Sequence, residues 1–384
     1  MIAVVERPTV WQRLRPILTG FDPVLMVALL LICGIGLVTM YSAGYDYASR
    51  FSDHARNMAL AFGVLFVAAQ VSPQNLMRLA VPVYTIGLTL LVATALFGIT
   101  KKGAQRWLNV GVVIQPSEIM KLAMPLMLAW WFQKREGKLV ALDFAIAGLL
   151  LLVPVALVVK QPDLGTAILI LSAGLYVIFF AGLSWKLIVP VLVLAAVSIA
   201  AVVLSEDRIC QDDVVWPLLR DYQKHRICTL LDPTTDPLGK GFHIIQGMIA
   251  IGSGGVTGKG FMSGTQTHLE FIPESTTDFI FAAFSEEFGL LGALLLLSGF
   301  TLLILRGLAI ANDAPSVFTR LLAGSITLSF FTYAFVNMGM VSGILPVVGV
   351  PLPFVSYGGT AMVTLGLGLG FLTSIARNRR SMQT

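Results

Sequence analysis

An all-α, polytopic integral membrane protein with about ten transmembrane helices is the fold class this sequence predicts. Three observations carry that expectation. Hydrophobic residues make up 56% of the chain and charged residues only 12%, against roughly 25% charged in soluble domains. The mean hydropathy is +0.84. The apolar residues also fall in long blocks instead of alternating, the pattern of helices that satisfy their own backbone in lipid. A net charge of +5 does not indicate nucleic-acid binding, because the basic residues lie mostly between the apolar blocks.

Residues 1–22 form a polar arm carrying Arg7, Arg13 and Arg15. Apolar segments follow at 23–41, 56–71, 79–98, 118–132, 141–159, 164–181, 186–204, 279–305, 320–342 and 360–376. Most have the length of a membrane helix, roughly 17–25 residues. Segment 118–132 is short and holds Pro125, so its outer end is expected to begin in a re-entrant or interfacial turn. Segment 279–305 is long enough to tilt or to stand above the hydrocarbon. A polar loop, 205–278, separates the seventh segment from the eighth, and 378–384 is a basic tail. The whole reads as one membrane domain, 23–377, without internal repeats, inverted symmetry or a low-complexity linker. The first apolar run is too long for a signal-peptide core, and no small-residue cleavage site follows it.

Ten spans place both termini on one side. Arg377, Arg379 and Arg380 match the basic N-terminal arm, and the same side receives Lys134, Arg135, Lys138, Lys186, Arg306 and Arg320. The positive-inside rule makes that side the cytoplasm, and long loops such as 205–278 escape the rule. Cys33 lies in an apolar run, where a small buried hydrophobe is expected. Cys210 and Cys228 share the long loop and can pair in an oxidising compartment, but spacing alone leaves the pairing open.

This orientation gathers polar residues on the outer face. Short outer connections hold Lys101, Lys102 and Arg106, then Glu118 and Lys121, then Lys160, Gln161 and Asp163; Asp278 opens the eighth span and Ser356–Gly359 the tenth. A charge inside the apolar boundary costs up to about 3 kcal/mol. Snorkelling and local ion pairs, such as Lys160 with Asp163, explain any one of them; they explain less well so many from separate connections. Glu118 and Lys121 are three apart at a helix start that Ser117 can cap, so they form an intrahelical ion pair or the charged wall of an outer cavity. The segment Gly252–Gly264 is not a P-loop, because Ser253 stands where its first glycine belongs and Gly260 follows the lysine. It reads as a flexible surface loop, with an anion nest of backbone N–H groups as the sharper alternative. His54, His225, His243 and His268 lack metal-ligand spacing.

The stretch Leu269–Glu287 marks the change from a polar, glycine-rich loop to an apolar helix. Thr276 or Thr277 is expected to cap that helix, with Asp278 in its first turn, where the macrodipole favours a carboxylate. Capping alone would account for Asp278; so would a functional carboxylate at the membrane lip. Glu286 and Glu287 read as residues that set the helix at the interface. A carboxylate and several cations surrounded by lipid suit a lipid-linked substrate with an anionic head group. The cations would hold a pyrophosphate and the carboxylate would deprotonate an attacking hydroxyl.

The segments KGAQRWL (102–108), QPSEIMK (115–121), QPDLGT (161–166), LDPTTDPLGKGFHIIQ (231–246), IAIGSGGVTGKG (249–260), GTQTHLEFIPESTTDFIF (264–281) and GMVSGILPVVGVPLPFVSYGGT (339–360) run through nearly the whole chain. In these the chain resembles the SEDS family (shape, elongation, division and sporulation), in its elongation branch rather than its division branch. The resemblance implies a peptidoglycan glycosyltransferase that polymerises lipid II, with Asp278 matching the family's essential acid and serving as base for the acceptor 4-hydroxyl. It carries Arg106, Glu118, Lys121 and Asp163 over as polar cavity residues, and Lys240, Glu274 and Ser356 as further ones. It implies a class B penicillin-binding transpeptidase and other membrane proteins of the elongation machinery as partners, with lipid II and the growing glycan as ligands. The bacterial inner membrane is the expected location, with the active site on the periplasmic side. A divalent cation, Mg2+ or Mn2+, fits this chemistry with Asp278 and the pyrophosphate as ligands, although the sequence shows no metal site; no organic cofactor is implied. The segment DRICQDDVVWPLL (207–219) matches nothing in the family pattern and reads as an insertion. A flippase for the lipid-linked precursor and a non-catalytic scaffold for the transpeptidase are the alternatives. The flippase would place charge near the midplane or on both sides.

Overall fold

The computed structural model describes residues 20–46, 49–101, 104–109, 111, 113–137, 139–211, 214, 216, 221–235, 239–269, 271–272 and 274–383. Most of the N-terminal arm, Lys102, Lys138 and much of the 207–219 insertion lie outside the described residues, as do the side chains of Lys101, Lys240, Arg379 and Arg380.

The chain opens with α1 (Pro23–Ala43), α2 (Arg50–Ala68) and α3 (Pro73–Phe97), then three short strands, β1 (Ile99–Lys101), β2 (Ala104–Asn109) and β3 (Val113–Ile114). Next come α4 (Pro116–Lys134), α5 (Ala141–Lys160), α6 (Leu164–Phe180) and α7 (Trp185–Leu204). The long loop carries α8 (Glu206–Ile209), α9 (Asp221–Leu231), a 3-10 turn, α10 (Lys240–Gly254) and α11 (Thr265–His268); α12 (Ile280–Asn312), α13 (Val317–Val341) and α14 (Gly359–Gln383) complete the chain. Long helices therefore cover all ten predicted segments. Seven of them (α1, α3, α5, α7, α12, α13 and α14) are long and apolar enough to cross a membrane by length and composition alone. The other three pack among them: α2 lies on α14, α4 on α3, α6 and α13, and α6 on α13 and α5. The protein is a polytopic, all-α membrane protein. Among the described residues its departure from that class is the small antiparallel sheet β1-β2-β3, whose outer strands carry the β-branched Ile99, Thr100, Val113 and Ile114 that suit a pleated surface.

The helix ends show why these segments start where they do. Asp22 caps α1 by accepting from the Leu25 N–H at 3.1 Å, and the Arg306 guanidinium on α12 binds the same carboxylate at 3.0 and 2.6 Å. On α4 the expectation fails in two respects. The helix is an unbroken 19 residues with Pro125 inside it, and it starts at Pro116, with Gln115 at the cap position and Ser117 in the first turn. Proline is favoured at the first position by its preset φ, and starting the helix there puts Ser117 past the cap position.

The glycine-rich segment is neither a flexible loop nor an anion nest. Its amides bind protein: the Lys259 and Gly260 N–H groups donate to the carbonyls of Glu286 and Glu287 at 3.0 Å, and Leu290 and Leu291 donate back to Gly255 and Val256. The segment docks into a break in α12 at Gly289, whose φ is 61°. A Cβ at Gly258, itself at φ 80°, would lie 2.0 Å from the Glu287 carbonyl oxygen, so only glycine permits the approach. Lys259 then reaches the buried Glu286 carboxylate at 2.7 Å, and Glu286 also accepts from Gln266 and Thr267. Cys210 and Cys228 form a disulfide, and Cys33 is buried.

Candidate active site

The helix that was to be capped by Thr276 or Thr277 starts later than expected. Helix α12 begins at Ile280, Phe279 stands at its cap position without a side-chain bond, and no acid lies in its first turn. Asp278 precedes it in a turn formed by Glu274, which holds φ 55°. The Glu274 carbonyl accepts from the N–H groups of Thr277 and Phe279, and its carboxylate accepts from the Thr277 hydroxyl at 2.8 Å. The turn thus sets Asp278 one residue ahead of the cap position, and not in the first turn of the helix.

Asp278 is instead held through its backbone. Asn337, fully buried on α13, donates from Nδ2 to the Asp278 carbonyl at 3.0 Å and to the Val350 carbonyl at 2.8 Å. Ser356, also buried, donates to the Thr277 carbonyl at 2.6 Å and accepts from the Leu352 N–H at 2.8 Å, while the Tyr357 N–H donates to the Thr276 carbonyl at 2.8 Å. The segment 343–358 is thus clipped to the Asp278 turn along its length. The half-buried carboxylate lies beside Gly349 (φ 76°), where a Cβ would sit 3.5 Å from its Oδ2.

The same segment reaches the second group. Gly165, at the start of α6, packs so closely on Val348 that a Cβ there would come within 2.6 Å of its carbonyl oxygen. Asp163 caps α6 by accepting from the Thr166 N–H at 3.2 Å; it also accepts from Gln115 Nε2 at 3.1 Å and lies 3.8 Å from Arg106 Nε. Arg106 donates in addition to the Pro162 carbonyl. Among the described residues the ion-pair partner of Asp163 is thus Arg106 on β2, not the neighbouring Lys160.

The third group is Glu118 and Lys121, paired at 2.7 Å and nearly buried. Glu118 also accepts from Thr364 on α14 at 3.2 Å, and the Lys121 ammonium lies 5.5 Å above the Tyr333 ring. The intrahelical ion pair is present, and it stands between α4, α13 and α14. Tyr333 and Asn337 are four apart on α13, about one turn or 6 Å along its axis. One face of α13 therefore carries the Lys121 contact and, a turn further on, the clamp on Asp278.

Of the predicted residues, Arg106, Glu118, Lys121, Asp163, Asp278 and Ser356 are linked by these contacts at one end of the bundle. Glu274 is exposed and shapes the turn. Lys240 opens α10, but its side chain lies outside the described residues. Three contributors were not anticipated. Asn337 is a polar residue inside an apolar span, itself a signal of function. Tyr333 gave no comparable signal. Arg50, the first residue of α2 and ahead of the predicted segment 56–71, stacks 4.5 Å over the Tyr357 ring, beside the Thr276 turn. Helices α4, α6, α12 and α14 all begin at this end, and their N-terminal dipoles favour a bound anion. Among the described residues no three His, Cys, Asp or Glu side chains gather as a metal cluster.

Comparison with known proteins gives a consistent result. The family model FTSW_RODA_SPOVE, described as a cell cycle protein, matches residues 23–381. The peptidoglycan glycosyltransferase MrdB of Escherichia coli K12 is 44% identical over 379 residues, covering 98% of each chain. A probable peptidoglycan glycosyltransferase FtsW of Geobacter metallireducens is 33% identical, covering 92% of this chain and 93% of its own. Among solved structures, a chain of a peptidoglycan synthase complex that coordinates polymerization and crosslinking aligns with TM-score 0.77 and 32% identity, over 94% of this chain and 99% of its own. The rod shape determining protein RodA of Thermus thermophilus aligns with TM-score 0.67 and 26% identity, over 94% and 98%.

Proposed function

The chain belongs to the FtsW/RodA/SpoVE family of cell cycle proteins and is a peptidoglycan glycosyltransferase, and on that premise we propose a mechanism in which Asp278 is the general base. Lipid II, a disaccharide-pentapeptide on undecaprenyl pyrophosphate, is the substrate. Asp278 takes the proton of the acceptor 4-hydroxyl as that oxygen bonds to the donor's anomeric carbon. The bond from that carbon to the pyrophosphate breaks, and the lipid pyrophosphate leaves with the electron pair. Lys121, Arg106 and the helix N-termini offset its charge, electrostatic stabilisation that acts where charge develops. Asp163 and Glu118 orient the two cations, and Ser356 and Asn337 position the base. A divalent cation, Mg2+ or Mn2+, would be held by Asp278 together with the substrate's own phosphates.

The observation that carries this reading is the backbone clamp on Asp278. Asn337, Ser356 and the Glu274 turn fix the backbone that carries a half-exposed carboxylate. A scaffold would not need it. A flippase would need charge along a path through the membrane, whereas these groups share one end of the bundle. We place that end on the periplasmic side of the inner membrane, with both termini in the cytoplasm. A class B penicillin-binding transpeptidase, with other elongation-machinery membrane proteins, is the proposed partner, since the aligned synthase complex couples polymerization to crosslinking. Labelled lipid II offered to the purified protein with that partner should yield polymer on a gel. Translocation of lipid II in vesicles without polymer would favour the flippase.

A further inference from the structure

Helix α7 stands apart from the bundle. None of its 20 residues is buried, and its one substantial helix contact among the described residues is with the short α8 that follows it. Its outer end is instead tied into a folded insertion. The disulfide joins Cys210, just after α8, to Cys228 on α9, 18 residues on. Around it the Lys224 ammonium, itself buried, donates to the carbonyls of Gln211 and Val214, and the Trp216 indole donates to the Ile209 carbonyl. Helix α9 packs on α10, and α10 packs on α12 and α13. Gly247 of α10 lies against the Phe279 ring, with the His243 ring 5.9 Å away, next in sequence to Asp278. On the other side Met248 meets Gly343, at the head of the segment clipped to the Asp278 turn.

We propose that the Cys210–Cys228 disulfide is a positioning clip that fastens the outer end of α7 to the wall behind Asp278, so that the geometry of the site depends on its oxidation. Among the described residues little packing holds α7, and the covalent link ties the chain that leaves it to α9. The clip closes when both thiols lose a proton and pass two electrons to the disulfide of an exchange partner, which leaves as a dithiol. A phosphine reductant with water reverses the step, giving two thiols and the phosphine oxide. The inference rests on the outer, oxidising location proposed above for the loop.

The test uses the full chain, folded and oxidised, with and without tris(carboxyethyl)phosphine, and with reduction verified by intact mass. Hydrogen exchange over 221–231 and 240–254 should speed at least tenfold on reduction while α13 stays protected. With lipid II as substrate, kcat should fall severalfold at little changed KM. The Cys210→Ser/Cys228→Ser variant should match the reduced protein and ignore the reductant. Unchanged exchange and unchanged kcat after full reduction would overturn the proposal. So would loosening confined to 206–231, which would mean that the clip only stabilises its own loop. If oxidised protein made no polymer at all, the transferase reading would fail instead, and the exchange data would still decide the clip.

Discussion

Replacing Asn337 by leucine tests whether the base is held from behind. The substitution keeps an apolar side chain of similar size in a fully buried site and removes both donors, at 3.0 and 2.8 Å. Two carbonyls then lose their partner, and a buried acceptor left unsatisfied costs about 1–3 kcal/mol. The helix itself, packed on its neighbours along most of its length, has no reason to move. Relief comes most easily at the two released segments, Asp278 and Val350. A misplacement near 1 Å at a reacting group costs roughly 100-fold in rate. The account therefore expects kcat for lipid II polymerisation to fall at least about 100-fold, with KM within a few-fold and the protein still monodisperse in detergent. Product quantified on gels against lipid II concentration reads both constants. Near-normal kcat in a folded Asn337→Leu protein would refute the clamp as the device that positions Asp278.

Other substitutions probe the remaining groups. Lys121→Met leaves Glu118 buried and unpaired and should cost about 3–5 kcal/mol of stability by thermal or denaturant unfolding. Adding Glu118→Gln should recover part of that stability without recovering activity, and full activity in the double variant would remove Lys121 from pyrophosphate binding. Gly258→Ala should cripple folding yield, because its Cβ would meet the Glu287 carbonyl at 2.0 Å, whereas Gly252→Ala, with open space around it, should express normally. Chelation with EDTA should reduce polymerisation, and Mg2+ or Mn2+ should restore it. Undiminished synthesis in metal-free buffer would show that the cations of the protein suffice.

Hydropathy made the helices legible because lipid forces backbone groups to be satisfied within each segment. It could not show β1, β2 and β3 or the short helices of the long loop, where neither periodicity nor length decides. Local rules misjudged two helix starts for one reason. Ser117 and Thr276–Thr277 have the chemistry of caps, but a proline at the first position of α4 and a turn closed on Glu274 shift the helix starts away from them. The glycines of 252–264 looked like flexibility because their partner, the break at Gly289, lies some thirty residues away in sequence and in another helix. Asp278, Arg106, Asp163, Glu118 and Lys121 were found from charge placed at span ends and from family resemblance. Their couplings through Asn337, Tyr333 and the 343–358 segment are tertiary and invisible in sequence. Asp278 itself changes from an acid expected in the first turn of α12 to one that precedes the helix, in a turn whose backbone Asn337 and Ser356 hold.

The central claim is most directly tested by the single-turnover rate of lipid II polymerisation by Asp278→Asn, which preserves size and the backbone clamp while removing the basic oxygen. The Asp278→Asn protein should unfold within a few degrees of the parent protein and make no detectable polymer. Polymerisation at a rate near that of the parent would contradict it.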